Sequence, residues 1–206
     1  MGLMSGTSAD GLSIALCAIP VKGKGLKVLA YKTYPYSAAL QGRIIAGKNV
    51  RTPELSALSF ELGRIWAGMV RRFCREHKTA YKTIAVIGSH GQTVYHKPGE
   101  GGNTLQIGEP SFLAEESGRP VVADFRPTDM AAGGEGAPLI PFFDEYIFGG
   151  GRPVALQNIG GVGNVAFVGK GVKTFGFDTG PGNSLMDTAV ALLTGGKKTY
   201  DAGGRR

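Results

Sequence analysis

Apolar residues recur along this chain in two rhythms: short runs that read as strands, and a three-and-four spacing that reads as a helix face. Residues 1–4 read as the end of a strand, residues 12–19 as a second strand and residues 26–34 as a third. Small-residue turns at 5–11 and 22–25 separate them, so an antiparallel meander is predicted. Residues 37–48 form a modest helix. A stronger one starts at Thr52-Pro53, with Thr52 as N-cap and proline in the first turn. Its apolar positions Leu55, Leu58, Leu62, Ile65, Trp66, Met69, Val70 and Phe73 lie on one face, which makes Trp66 a core residue. Arg71, Arg72, Arg75, His77 and Lys78 suit its C-terminus.

The pattern continues with a buried strand at 83–88 that ends in a polar loop, Ser89-His90-Gly91-Gln92-Thr93, followed by His96. A hairpin at 104–107, a helix at 110–116 and a strand at 120–124 follow. A glycine loop at 133–138 then leads to an apolar helix at 139–148. Gly149-Gly150-Gly151 reads as the domain boundary, dividing the chain into 1–149 and 150–206. After it the order restarts: a strand at 153–159, a glycine turn at 160–164, strands at 165–168 and 173–177, and a helix opened by Asn183 as N-cap. Strand, turn, strand, strand, helix therefore occurs twice without sequence identity between the copies. The second copy stops after its first helix.

Composition narrows the class. The 206 residues are 42% hydrophobic and 19% charged, enough for a packed core and unlike a disordered chain. Thirty-four glycines stand well above the usual level of about 7% and cluster at turns, which predicts many backbone-lined loops. The net charge of +7 is scattered over Lys22, Lys24, Arg71, Arg72, Arg75, Lys197, Lys198, Arg205 and Arg206, without interleaved aromatics. That argues against nucleic-acid binding and suits attraction of a small anion. Cys17 and Cys74 are far apart and read as buried free thiols, which favours a reducing, cytoplasmic compartment. No apolar run has membrane length.

Several chemistries are set aside on context. Residues 161–166 match GxGxxA, but the turn runs into a strand where a dinucleotide fold needs a helix. No P-loop and no nucleophile elbow is present. The spacing of His90 and His96 matches no standard ligand set, so no metal-ligating residue is assigned. The turns at 6–11 and 160–164 can offer backbone N–H groups and hydroxyls to phosphate; singly, each also reads as an ordinary turn. Asp178 sits where a strand meets a Gly-Pro-Gly turn, the usual place for a reacting group, and equally a place where Asp caps a turn.

Seven stretches in order carry a resemblance: 4–11, 89–93 with His96, 104–108, 124–126, 133–138, 158–161 and 176–183. Together they resemble anhydro-N-acetylmuramic acid kinase. The resemblance implies an α/β fold of the actin-like superfamily: a complete ribonuclease-H-like lobe with a mixed sheet, plus the first strands and helix of a second. It implies an enzyme that opens 1,6-anhydro-N-acetylmuramic acid with water and phosphorylates O6, using ATP and Mg²⁺, in peptidoglycan recycling. By position, Gly6, Thr7, Ser8, Ala9, Asp10, Gly11, Leu12 and Ser13, with Gly160 and Gly161, would hold ATP phosphates. Asp178 would be the general base. His90, Thr93, Arg126 and Asn183 would bind the sugar, Arg126 suiting its carboxylate through a two-pronged contact. Ser13 stands where the family usually carries Asp, so a carboxylate that could assist Mg²⁺ is missing there. The partners implied are a small sugar and a second copy in a homodimer, with no nucleic acid and no membrane. The family continues past residue 206, so the chain reads as a fragment, a truncated product or half of a split enzyme. The alternative reading is a non-catalytic half-protein that binds carbohydrate or a partner.

Overall fold

In this computed structural model residues 1–22 and 25–204 are described. The turn foreseen at 22–25 therefore falls partly outside the described residues, and Arg205-Arg206 falls wholly outside them. Two compact units are present, Met1–Gly136 and Ala137–Arg206.

The first unit opens on the predicted meander, β1 (Gly2–Ser5), β2 (Gly11–Ala18) and β3 (Lys27–Pro35), antiparallel throughout. Helix α1 (Ala38–Ala46) is capped by Ser37, whose hydroxyl accepts the Leu40 N–H at 3.2 Å. Helix α2 (Thr52–Glu76) lays its apolar stripe on the sheet. Leu62, Trp66, Val70 and Phe73 are fully buried, each worth roughly 1.5–3 kcal/mol against exposure. The N-cap is Arg51 and not Thr52, because Glu54 reaches back to the Arg51 N–H at 2.9 Å and draws the helix start forward.

Strand β4 (Ile87–Lys97) then runs parallel to β1. It is far longer than the sequence pattern suggests. Ser89 to Thr93 and His96 lie within it and not in a loop, because β1, β5 (Asn103–Ile107) and β6 (Val121–Val122) pair along its length. Helix α3 (Ser111–Ser117) joins β5 to β6, and α4 (Phe125–Ala131) follows. The sheet order is β3-β2-β1-β4-β5 with β6 beside β4, a mixed sheet of parallel and antiparallel strands in an α/β unit. Cys74 is buried, but Cys17 is only half-buried: a register shift between Leu16 and Cys17 breaks the inward alternation there.

The second unit holds α5 (Ile140–Phe148), β7 (Val154–Ile159), β8 (Val162–Val168), β9 (Phe175–Pro181) and α6 (Asn183–Leu193). Its sheet is a meander in the order β7-β8-β9. Helix α5 packs on β8, with Pro141 against Gly176. It therefore belongs to the second unit, and the division falls at Gly136 and not at the glycines of 149–151. The glycine turn shortens to residues 160–161, because β8 begins at Val162. Among the described residues no helix is long and apolar enough to cross a membrane.

Candidate active site

In the first unit the turn between β1 and β2 is built on one buried glutamine. Gln92 accepts the Ser5 hydroxyl at 2.5 Å and donates to Gly6 O at 3.1 Å and Thr93 O at 3.2 Å. Ser5 in turn meets the Tyr36 hydroxyl at 2.9 Å, and Trp66 Nε1 donates to that hydroxyl at 2.8 Å. The turn closes with Ala9 N–H on Gly6 O at 3.0 Å. Ala9 takes a positive φ of 50° inside the core. Thr7, Ser8 and Asp10 are left on the surface. Leu12 is fully buried, so only its backbone could meet a phosphate. The Ser13 hydroxyl is held by Thr33 at 2.8 Å and Tyr31 at 3.2 Å on the opposite side of β2.

Farther along the same sheet His90 and Arg126 meet. His90 Nδ1–H donates to Gly91 O at 2.9 Å, which leaves Nε2 as the acceptor for Arg126 Nε–H at 3.0 Å. Burial, with the Arg126 guanidinium as a further cause, pushes the His90 imidazolium below its ordinary range. The ring is therefore held neutral. Arg126 Nη1 donates to Gly136 O at 2.6 Å, and Asp129 accepts the Gly136 N–H at 2.7 Å. This explains the glycine loop: a side chain at Gly134 would strike the Asp129 carboxylate. Arg126 sits in the first turn of α4, with Nε and Nη1 on protein acceptors, so the two-pronged contact foreseen for it is not preformed. Thr93 accepts from Gln106 Nε2 at 3.3 Å. His96 bonds to Thr104 through Nδ1 at 3.1 Å.

In the second unit Asp178 is exposed on β9, with Asn164 of β8 as its cross-strand partner. The ladder carries β9 on to Pro181, so Asp178 lies inside a strand and not at its end. The bulge between Gly163 and Asn164 lies beside it, the kind of irregularity that re-aims a side chain. The glycine turn is tied to the start of α6. Gly160 O accepts the Asn183 N–H at 2.7 Å, and Gly161 O accepts the Gly182 N–H at 2.9 Å and the Ser184 hydroxyl at 2.7 Å. Asn183 is the first helical residue and Gly182 the cap; the Asn183 amide donates to Ile159 O at 3.2 Å.

A family model, anhydro-N-acetylmuramic acid kinase, matches residues 1–206. The chain belongs to that family. A relative of this name from Caldanaerobacter subterraneus subsp. tengcongensis is 40% identical, over 99% of this chain and 56% of its own length. One from Variovorax paradoxus is 42% identical, over 100% and 57%. One from Acaryochloris marina is 43% identical, over 99% and 57%. The chain thus spans about half the length of the curated relatives it matches. Among solved structures, ethanolamine utilization protein EutJ from Carboxydothermus hydrogenoformans is similar at a TM-score of 0.38 and 15% identity, over 96% of this chain and 57% of that one.

Two features of the site escaped sequence reasoning. Gln92 was visible only as one letter of a polar stretch, and no local signal marks it as the link between β4 and the turn. Ser89, 1% exposed, and Gln106 lie in two separate family stretches and were given no role there, yet both line a cavity of about 250 Å³ beside His90. The spacing of the stretch at 104–108 placed Gln106 in a family motif but said nothing of its contacts.

Proposed function

We propose that the chain contributes phosphate turns, sugar-binding groups and the general base of an ATP-dependent kinase that opens 1,6-anhydro-N-acetylmuramic acid and phosphorylates O6. The observation that carries this reading is the family match over the whole chain, joined to an exposed Asp178 carboxylate on the strand next to the Gly160-Gly161 turn. Asp178 takes a proton from water as the oxygen bonds to C1 of the sugar. The C1–O6 bond breaks, O6 accepts the γ-phosphoryl group, ADP leaves, and Asp178 returns its proton to solvent. Placement of the carboxylate matters more than its basicity. Thr7 and Ser8 hydroxyls with the exposed Asp10 carboxylate form a donor set that suits a triphosphate and a hard cation. Bound Mg²⁺ would supply neutralisation of phosphate charge. The neutral His90 and Arg126 would face the sugar, Arg126 after exchanging protein acceptors for the lactyl carboxylate.

The test is ADP release and formation of the 6-phosphate on mixing the chain with ATP, Mg²⁺ and the anhydro sugar. Asp178→Asn keeps the shape and removes the base, so product formation should fall at least ~10²-fold. Near-normal turnover of that variant would reject the role of Asp178. A second reading, carbohydrate binding without catalysis, needs only the polar groups gathered around His90 and Arg126. Separate calorimetric titrations decide: sugar binding without ATP binding supports the second reading, and binding of both with product supports the kinase.

A further inference from the structure

The 250 Å³ cavity of the first unit is lined by polar side chains, most of which already have partners. Ser59 Oγ accepts the Gly108 N–H at 3.1 Å. Glu109 accepts from the Ser111 hydroxyl at 2.6 Å and the Ser111 N–H at 3.0 Å. His90 uses both ring nitrogens. Asp124 stands at the exposed rim. Two oxygens differ. Among the described residues, the Ser89 hydroxyl and Gln106 Oε1 are buried and have no hydrogen-bond partner. Such atoms are uncommon in folded proteins, because each forfeits solvation without a replacement. The orientation of Gln106 is determined by its neighbours: Nε2 donates to Thr104 Oγ1 at 2.7 Å and to Thr93 Oγ1 at 3.3 Å, and Thr104 donates onward to Tyr95 O at 3.2 Å. Its other end is therefore an acceptor and nothing else. Ser89 supplies an O–H.

A cavity offering one acceptor and one hydroxyl donor is complementary to a group that carries one N–H and one C=O. We infer that Ser89 and Gln106 form a subsite for the secondary amide of the substrate, its 2-acetamido group, with Gln106 Oε1 taking the N–H and the Ser89 hydroxyl donating to the C=O. The inference rests on the proposed amino-sugar substrate. The volume agrees, being below the roughly 300 Å³ at which whole-ligand pockets begin and sufficient for a substituent. So does the surrounding charge. Arg126 is bonded to His90 at the wall of this cavity, and the lactyl carboxylate assigned to Arg126 hangs from the ring carbon next to the one bearing the acetamide. Neither oxygen reaches the surface, so docking includes a small side-chain rotation at each. An N-deacetylated sugar brings an ammonium beside the Arg126 guanidinium and leaves Ser89 without its acceptor. It should bind at least ~10-fold more weakly, the factor for one buried group left unpaired.

The experiment is a ¹H–¹⁵N NMR titration of the 206-residue chain with the anhydro N-acetyl sugar, its free-amine counterpart, and the pair N-acetylglucosamine and glucosamine. The expected result is that both N-acetyl sugars move the Gln106 side-chain amide and the Gly91 and Gly108 backbone signals, and that both amines do so at least ~10-fold less tightly. Ser89→Ala should bring the two classes to within about twofold of each other. Equal binding of acetylated and free-amine sugars by the unaltered chain would overturn the inference, and needs no variant to fold. Discrimination that survives in a folded Ser89→Ala, judged by an otherwise unchanged spectrum, would also overturn it. N-acetylglucosamine keeps the two proposals apart. If it is preferred over glucosamine while no anhydro sugar is phosphorylated, the amide subsite stands and the kinase reading fails. If phosphorylation proceeds and the acetyl group makes no difference, the reverse holds.

Discussion

Replacing Gln92 by leucine should loosen the turn between β1 and β2 at its root. Gln92 is 1% exposed and makes two bonds that cross between elements, to Ser5 at 2.5 Å and Gly6 at 3.1 Å, and one local bond to Thr93 at 3.2 Å. Leucine is close in shape, so the cavity left behind is small. Ser5 keeps Tyr36 and Gly11 O, and Gly6 O keeps the Ala9 N–H, so no partner is stranded. The loss is then the bonds themselves, about 1 kcal/mol for each of the two long-range ones and less for the local one, or about 2–3 kcal/mol in all. The chain has one tryptophan, Trp66, which sits on this same chain of bonds through Tyr36. Urea unfolding followed by its fluorescence therefore reports the first unit alone. Gln92→Glu sharpens the test. It keeps the acceptor for Ser5 but sets a carboxylate oxygen against Gly6 O and Thr93 O. Burial and those carbonyls should raise its pKa above the unfolded value of about 4.3. A raised carboxyl pKa gives stability that is present below the unfolded value and lost as pH rises through the folded one. Relative to the unaltered chain, this variant should be more stable near pH 4 than at pH 7. A loss under about 0.5 kcal/mol for leucine, or the opposite pH trend for glutamate, would refute the account of the turn.

Further outcomes follow from single contacts. His90 should titrate below its ordinary value of about 6.5, so its support for the fold is complete above that value and fades as pH falls through the folded pKa; an imidazole proton that titrates at or above 6.5 in an NMR pH series would contradict the buried neutral ring. Gly108→Ala, at a φ of 104° with the new methyl directed into the Trp66 ring, should cost at least about 3 kcal/mol in the same urea assay, from backbone strain and overpacking together. Arg43→Gln should cost less than about 1 kcal/mol although Arg43 grips Glu61 at 2.9 and 2.6 Å, because both side chains are largely solvated. The second unit exposes Phe175, Phe177, Leu192 and Leu193, with Phe175 stacked on Phe167 at 4.7 Å, and such surfaces pair with others. Sedimentation at several concentrations should show association, and a monomer throughout would contradict it.

Local periodicity by itself determined the strand meander of each unit, the core face of α2 with Trp66 at its centre, and the place of the polar stretches that mark the family. These follow from spacing, because a strand or helix face needs only residues a few positions apart to agree. The tertiary structure decided what depends on pairing across distance. Ser89 to His96 became strand because β1, β5 and β6 supply partners for its backbone, and Asp178 became strand because β8 does the same for a segment whose glycines and proline read as a turn. Helix α5 joined the second unit because it packs on β8, a choice that a helical pattern cannot express. Gln92 reaches Ser5, His90 reaches Arg126, and Ser89 lines one cavity with Gln106 only after the sheet has closed. A hydrogen bond between residues far apart in sequence leaves no period in it, so the residues that could be named from motifs had their contacts assigned by the fold alone.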